Sequence, residues 1–214
     1  MLIIGQDPRR ARAAGEQRAN RQPRRVVCIT ARVHPGETPA SYMCHGLIEL
    51  LISNDAAAKK LRNNITFIIV PMLNPDGVFL GNYRTAFCGL DLNRQYDKPT
   101  AWCTPENLHL KEMLKALAEE GEHGDAPVSL DFVIDLHSHS TAMNAFCYIN
   151  LEENDTPKMQ SQLLFLRLLS QENAHFSLSA SRGVLHMHAL HVCVCVSSRA
   201  AAVATHELHL FCCA

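Results

Sequence analysis

Val26-Val27-Cys28-Ile29-Thr30-Ala31-Arg32-Val33 runs directly into His34-Pro35-Gly36-Glu37. A second apolar run, Phe132-Val133-Ile134-Asp135-Leu136, ends on His137. Both runs are short, apolar and rich in β-branched residues, the pattern of strands buried on both faces. Two such strands ending at one edge of a sheet deliver His34, Glu37 and His137 to the same place. Open α/β sheets bind their ligands there, outside the carboxyl ends of the strands. Histidine and carboxylate are zinc ligand types. Three protein ligands leave a fourth position for water or substrate, the catalytic rather than the structural arrangement. A lone strand histidine is more often a core residue than a ligand, so the weight rests on the pair together with Glu37.

Outward from these two runs, the pattern predicts strands at about 26–33, 65–71, 130–137 and 145–150 and helices at about 40–53, 106–120 and 158–171. Pro39 suits the first turn of a helix, and Met43, Leu47, Leu50 and Leu51 follow helical spacing. Residues 73–97 read as a loop, with Asn74-Pro75-Asp76-Gly77 as a turn cluster. Strands alternating with helices give an α/β fold with a mixed, partly parallel sheet and flanking helices. No internal repeat or linker divides the chain.

Three more motifs lie between the ligand pieces: Pro71-Met72-Leu73-Asn74-Pro75-Asp76-Gly77, Gly81-Asn82-Tyr83-Arg84 and Asp91-Leu92-Asn93-Arg94-Gln95-Tyr96. HxxE alone is a weak signal, but five motifs in this order are a strong one. From about Val26 to about Ser177 the chain resembles the zinc metallocarboxypeptidases, closest to the cytosolic carboxypeptidase branch, whose tubulin deglutamylase-like members trim glutamate from protein tails and side chains. The resemblance implies one zinc ion held by His34, Glu37 and His137. It also implies that Asn93 and Arg94 bind the substrate's terminal carboxylate, for which an arginine fork is suited. Arg84 matches the arginine that polarises the scissile carbonyl and stabilises the oxyanion. The implied partner is a protein or peptide with an acidic tail, such as tubulin, and the implied location is the cytoplasm. His45 and His139 stay without a role. Asp135 shares a strand face with His137, which suits orienting an imidazole and equally suits a buried structural carboxylate.

The resemblance further implies a glutamate general base well downstream of the last ligand. No residue after Ser177 matches it. Glu172 lies too close to His137 in a helical stretch, and His206-Glu207-Leu208-His209 is not HExxH. The stretch 183–214 has Arg199 and Glu207 as its only charged side chains apart from five histidines, and it carries Cys193, Cys195, Cys212 and Cys213. Val192-Cys193-Val194-Cys195-Val196 reads like a translated dinucleotide repeat, so 183–214 is expected to be an aberrant Cys/His-rich tail. CxC and CC spacings make it a poor zinc pattern, and its histidines interrupt any membrane-spanning run. The expected organisation is an arm over 1–25, a partial carboxypeptidase domain over 26–182 that is incomplete at its C-terminal end, and this tail. The alternative to an active peptidase is a zinc-binding, catalytically impaired fragment or pseudoenzyme that captures acidic tails. A fragment that fails to fold alone would expose an unpaired sheet edge.

The length of 214 residues suits one domain, and 47% hydrophobic residues suffice for a core. A net charge of -1 argues against nucleic acid as partner, and nothing points to a membrane. Residues 1–25 hold seven arginines against Asp7 and Glu16, with Pro8 and Pro23. Lacking apolar periodicity, they read as a basic, disordered arm. Met1-Leu2-Ile3-Ile4 is too short for a signal peptide. Nine scattered cysteines, an odd number, read as reduced thiols.

Overall fold

The computed structural model of the chain describes residues 1–5, 24–122, 128–139, 144–150, 156–184 and 191–197. In chain order the elements are β1 (Leu2–Ile4), β2 (Arg24–Ala31), α1 (Thr38–Ile52), α2 (Ala56–Asn64), β3 (Ile65–Val70) and α3 (Pro75–Leu80). A 3-10 turn (Leu92–Arg94) follows, then α4 (Pro105–Glu122), β4 (Val128–His139), β5 (Ala145–Asn150), α5 (Thr156–Glu172), β6 (Arg182–Val184) and β7 (His191–Ser197). The strands form one sheet in the order β1-β3-β2-β4-β7-β5-β6. β2 is parallel to both β3 and β4, β4 is parallel to β7, and β5 is parallel to β6. β1 against β3 and β5 against β7 are antiparallel. This is the mixed, partly parallel sheet with flanking helices that the sequence predicts.

Alternation along the strands sorts the core into two layers. Val27, Ile29, Ala31, Phe67, Ile69 and Leu136 pack with Ala40, Met43, Cys44 and Leu51 of α1 and with Leu166 and Leu169 of α5. The other face joins Val26, Cys28, Ile68 and Val133 to Leu110 of α4 and to Leu73, Ala86 and Leu92 of the connecting segments. The strands are therefore apolar on both sides because helices cover both sides. Thr30 and Asp135, each two residues on from an apolar member of this second layer, and His137, two residues beyond Asp135, are buried polar groups. They mark the place where the sheet stops being pure core.

Two boundaries differ from the sequence reading. Leu2–Ile4 is an edge strand on β3, with Ile4 packed against the core, so the first residues do not belong to an arm. Three consecutive apolar residues, two of them β-branched, gain more from pairing with an edge than from water. Arg24 and Arg25 begin β2, and residues 6–23 lie outside the described set. Part of the stretch 183–214, read as an aberrant tail, lies in the sheet. Arg182–Val184 pairs with β5, and His191–Ser197 runs between β4 and β5. Alternating valines favour extended backbone, and a strand placed there closes the gap between β4 and β5. Residues 185–190 and 198–214 lie outside the described set.

The stretch 73–97 is more ordered than a loop. Asn74 caps α3 by accepting from the Gly77 N–H, Pro75 occupies the first turn, and Gly81 ends the helix in the left-handed region at φ 73°. The cluster read as a turn is thus a helix start. α2 likewise starts on a capping side chain, Asp55, which accepts from Ala57 and Ala58. Among the described residues no helix is long and apolar enough to cross a membrane.

Candidate metal centre

β2 ends two residues earlier than its apolar run because Arg32 turns into positive φ, at 58°. Its side chain then fastens the turn: Nε donates to the Pro35 carbonyl at 2.7 Å and Nη1 to Ser41 Oγ at 2.8 Å. From the far side, fully buried Asn74 donates through Nδ2 to the Val33 carbonyl at 3.1 Å. The Gly36 N–H donates to the Tyr83 carbonyl at 2.7 Å, and a side chain on Gly36 would meet the Tyr83 ring. The turn carrying His34 and Glu37 is therefore held by three separate segments. Glu37 occupies the N-cap position of α1 without capping it by its side chain, which leaves its carboxylate for other contacts.

That carboxylate lies between the two histidines. Glu37 Oε1 is 2.6 Å from His34 Nδ1, and Oε2 is 3.0 Å from His137 Nδ1. Oε2 also accepts from the Ser138 N–H at 2.8 Å. The imidazole rings sit 5.0 Å apart. His34 is 4% exposed and His137 5%, so both are presented from the protein interior. One ligand atom from each of His34, Glu37 and His137 lies within 4.8 Å of the other two. Burial alone would push the Glu37 carboxyl up. Hydrogen bonds from His137 and His34, the His137 charge and the Ser138 N–H outweigh it and hold the carboxyl down at about 2. A carboxylate kept ionised beside two imidazole nitrogens on the same side has the donor chemistry of a catalytic zinc site.

Each histidine turns its other nitrogen to an aspartate. His34 Nε2 is 3.1 Å from Asp91 Oδ1, and His137 Nε2 is 2.8 Å from Asp135 Oδ2. Asp91 does more than meet His34. Its Oδ2 accepts from Arg84 Nε at 2.8 Å and lies 2.7 Å from Arg84 Nη2, while its Oδ1 accepts from the Asn93 N–H at 2.9 Å. Burial opposes ionisation of Asp91, but the Arg84 hydrogen bond, the His34 charge and the Asn93 N–H keep its carboxyl below the ordinary value.

The structure brings His34, Glu37 and His137 together and ties Arg84 and Asn93 to them through Asp91. Arg84 does not stand free to face a substrate: its guanidinium is docked on Asp91, with the side chain 44% exposed. Arg94 is exposed on the 3-10 turn, and its Nη1 donates to the Asn93 carbonyl at 3.2 Å. Asn93 Oδ1 is buried without a hydrogen-bond partner among the described residues. Asp91 stands in a quoted motif, yet no spacing rule connects it to a histidine 57 positions away. Asp135 did carry a signal, the period of two shared with His137. His45 lies on the exposed side of α1, 3.3 Å from Glu49. His139 meets the Phe146 ring edge-on. Glu172 is exposed at the end of α5, and Glu207 lies outside the described residues.

Comparison with known proteins agrees with this geometry. The zinc carboxypeptidase family profile matches residues 1–179. Mouse cytosolic carboxypeptidase 6 is 44% identical over 158 residues, covering 74% of this chain and 28% of that protein. Mouse cytosolic carboxypeptidase 4 is 48% identical over 120 residues, covering 56% of this chain and 10% of that protein. The chain thus spans under a third of either relative. Among solved structures, a metallo-carboxypeptidase from Burkholderia cenocepacia superposes with a TM-score of 0.72 at 24% identity, covering 88% of this chain and 56% of that one. That last likeness is one of fold.

Proposed function

The chain belongs to the zinc carboxypeptidase family, and from that premise we propose that it takes part in zinc-dependent removal of C-terminal or side-chain-linked glutamate from acidic protein tails such as those of tubulin. The observation that carries this reading is the convergence of His34, Glu37 and His137, with Asp91 linking that group to Arg84 and Asn93. Zinc, when held by those three residues, supplies a water of lowered pKa and polarises a carbonyl. Glu37 provides the negative charge of the donor set. Arg84, fixed by Asp91 through Nε and Nη2, would turn its remaining guanidinium nitrogen to the developing oxyanion. Asn93 and Arg94 hold the terminal carboxylate, the arginine through a charge-assisted pair of hydrogen bonds. The names of the relatives support a cytoplasmic setting.

The test is direct. Purified protein loaded with one equivalent of zinc is incubated with a peptide ending in several glutamates, with the same peptide ending in alanines, and with its C-terminal amide. With a carboxylate of this chain standing in for the base that no residue after Ser177 matches, mass spectrometry should show stepwise loss of glutamate from the first peptide only, abolished by His137→Ala. Loss from the amide at an equal rate would refute recognition of a free carboxylate. Two observations favour a second reading, a zinc protein that captures acidic tails without turnover: no residue after Ser177 matches the glutamate general base, and the Arg84 guanidinium is already engaged by Asp91. Saturable binding of the glutamate peptide with no product would select it.

A further inference from the structure

Asp135 is fully buried, and so is Thr30 beside it. The two are direct partners in the ladder between β2 and β4, so their side chains leave the sheet on one face. Thr30 Oγ1 donates to Asp135 Oδ1 at 2.7 Å, and Asp135 Oδ2 lies 2.8 Å from His137 Nε2. An ionised carboxylate taken out of water costs several kcal/mol unless its oxygens are paired. A position in the middle of a parallel sheet is an expensive place to keep one for packing alone.

The pairing has a directional consequence. A carboxylate accepts and does not donate, so the Asp135 contact requires the proton on Nε2. The Glu37 contact likewise draws a proton to Nδ1 in the metal-free protein; metal binding there displaces that proton, while Asp135 keeps the one on Nε2. Nδ1 is the atom that faces Glu37. Thr30 removes the remaining freedom of the carboxylate by occupying its second oxygen. We infer that Asp135, locked by Thr30, is a positioning residue: it sets the tautomer and ring orientation of His137 so that Nδ1 is presented for metal binding. Asp91 stands behind His34 in the same way, but it is partly exposed and shared with Arg84. The buried Asp135 is committed to its histidine from inside the sheet.

This role rests on the zinc reading, and the experiment separates the two. Zinc affinity is measured by competition with a chromophoric chelator for the wild type, Asp135→Asn, Thr30→Val and His137→Ala. The visible spectrum of the cobalt-substituted protein and the unfolding midpoint of the metal-free protein are recorded alongside. Asp135→Asn should weaken zinc binding about 10–100-fold and shift the cobalt bands, with a metal-free midpoint close to wild type. Thr30→Val should move both readouts in the same direction by less. Wild-type zinc affinity and an unchanged cobalt spectrum in Asp135→Asn, with zinc lost in His137→Ala, would overturn the positioning role and leave the zinc site standing. No zinc binding by the wild type would overturn both. If Asp135→Asn does not fold, Thr30→Val decides: unchanged zinc affinity there overturns the role, and weakened affinity supports it.

Discussion

Replacing Asn74 by alanine should loosen the ligand turn without touching a ligand. Asn74 is fully buried and makes two side-chain bonds at once: Oδ1 accepts from the Gly77 N–H at 2.9 Å and Nδ2 donates to the Val33 carbonyl at 3.1 Å. Removing the first deletes the N-cap of α3, about 1 kcal/mol. Removing the second leaves the carbonyl of buried Val33 unpaired, about 1–3 kcal/mol. Together the loss is about 2–4 kcal/mol, and at a urea slope of about 2 kcal/mol/M the midpoint should fall by about 1–2 M. Val33 precedes His34, so zinc affinity should weaken as well. Asn74→Ser keeps a capping oxygen but cannot span to Val33, and should fall between alanine and wild type. Urea unfolding followed by circular dichroism, with chelator competition on the same samples, reads both effects. A midpoint shift under about 0.3 M at unchanged slope would show that these two bonds do not hold the turn, and the reasoning would fail.

Gly36→Ala places a methyl 2.6 Å from Tyr83 Cδ2 and 2.8 Å from the Tyr83 carbonyl, a clash worth about 1–3 kcal/mol. Because Arg84 follows Tyr83, turnover should fall further than stability alone explains; a normal rate at a reduced melting temperature would count against that coupling. Arg94→Ala should weaken binding of a C-terminal carboxylate by about 10–100-fold and of the amide hardly at all, as read by inhibition with the paired peptides; equal losses would make Arg94 structural. Burial, aided by the Asp135 charge, pushes the Cys28 thiol up to about 12, and burial pushes Cys44 up to about 11, from an ordinary 9.0. Raised thiols in the folded state mean that the unfolded chain ionises first. The stability these two groups contribute is complete below pH 9.0 and is lost as pH rises towards 11 and 12. Cys44→Ala should flatten the fall between about pH 9 and 11 in a series of thermal melts; an unchanged slope would remove the buried thiol as its cause.

The strands that carry the site were readable because their local pattern and their place in the fold agree. Covered by helices on both faces, the middles of β2 and β4 need mostly apolar residues, and the sequence shows near-continuous apolar runs there, interrupted at Thr30 and Asp135. Their ends were less readable. β2 stops at Ala31 because Arg32 takes a positive φ and spends its side chain on Pro35 and Ser41, and no apolar pattern encodes that choice. β1 is only three residues long, below the length at which alternation can be recognised, and it exists because β3 offers an edge. α3 was read as a turn because asparagine, proline and glycine serve helix starts and turns alike. Tertiary contact decides between them: Gly77 is wedged against Pro35 and the Thr85 carbonyl, where only a glycine in a tight helical turn fits.

The site shows the same division between what is local and what is not. His34 and Glu37 are three apart, and His137 follows a strand, so each is visible in its own segment. Their meeting depends on β2 and β4 being parallel neighbours in the register that sets Thr30 opposite Asp135. In that register the chain leaving β2 turns back over the end of β4, and Glu37 reaches both His137 and the Ser138 N–H from one side. Asp91 approaches from the other side of the histidines on a segment with no strand or long helix to announce it. Its contacts with His34, Arg84 and Asn93 make three functional candidates depend on one carboxylate. Loss of that carboxylate would therefore disturb the metal centre and the substrate-facing residues together, whereas loss of Asp135 would reach the metal centre through His137.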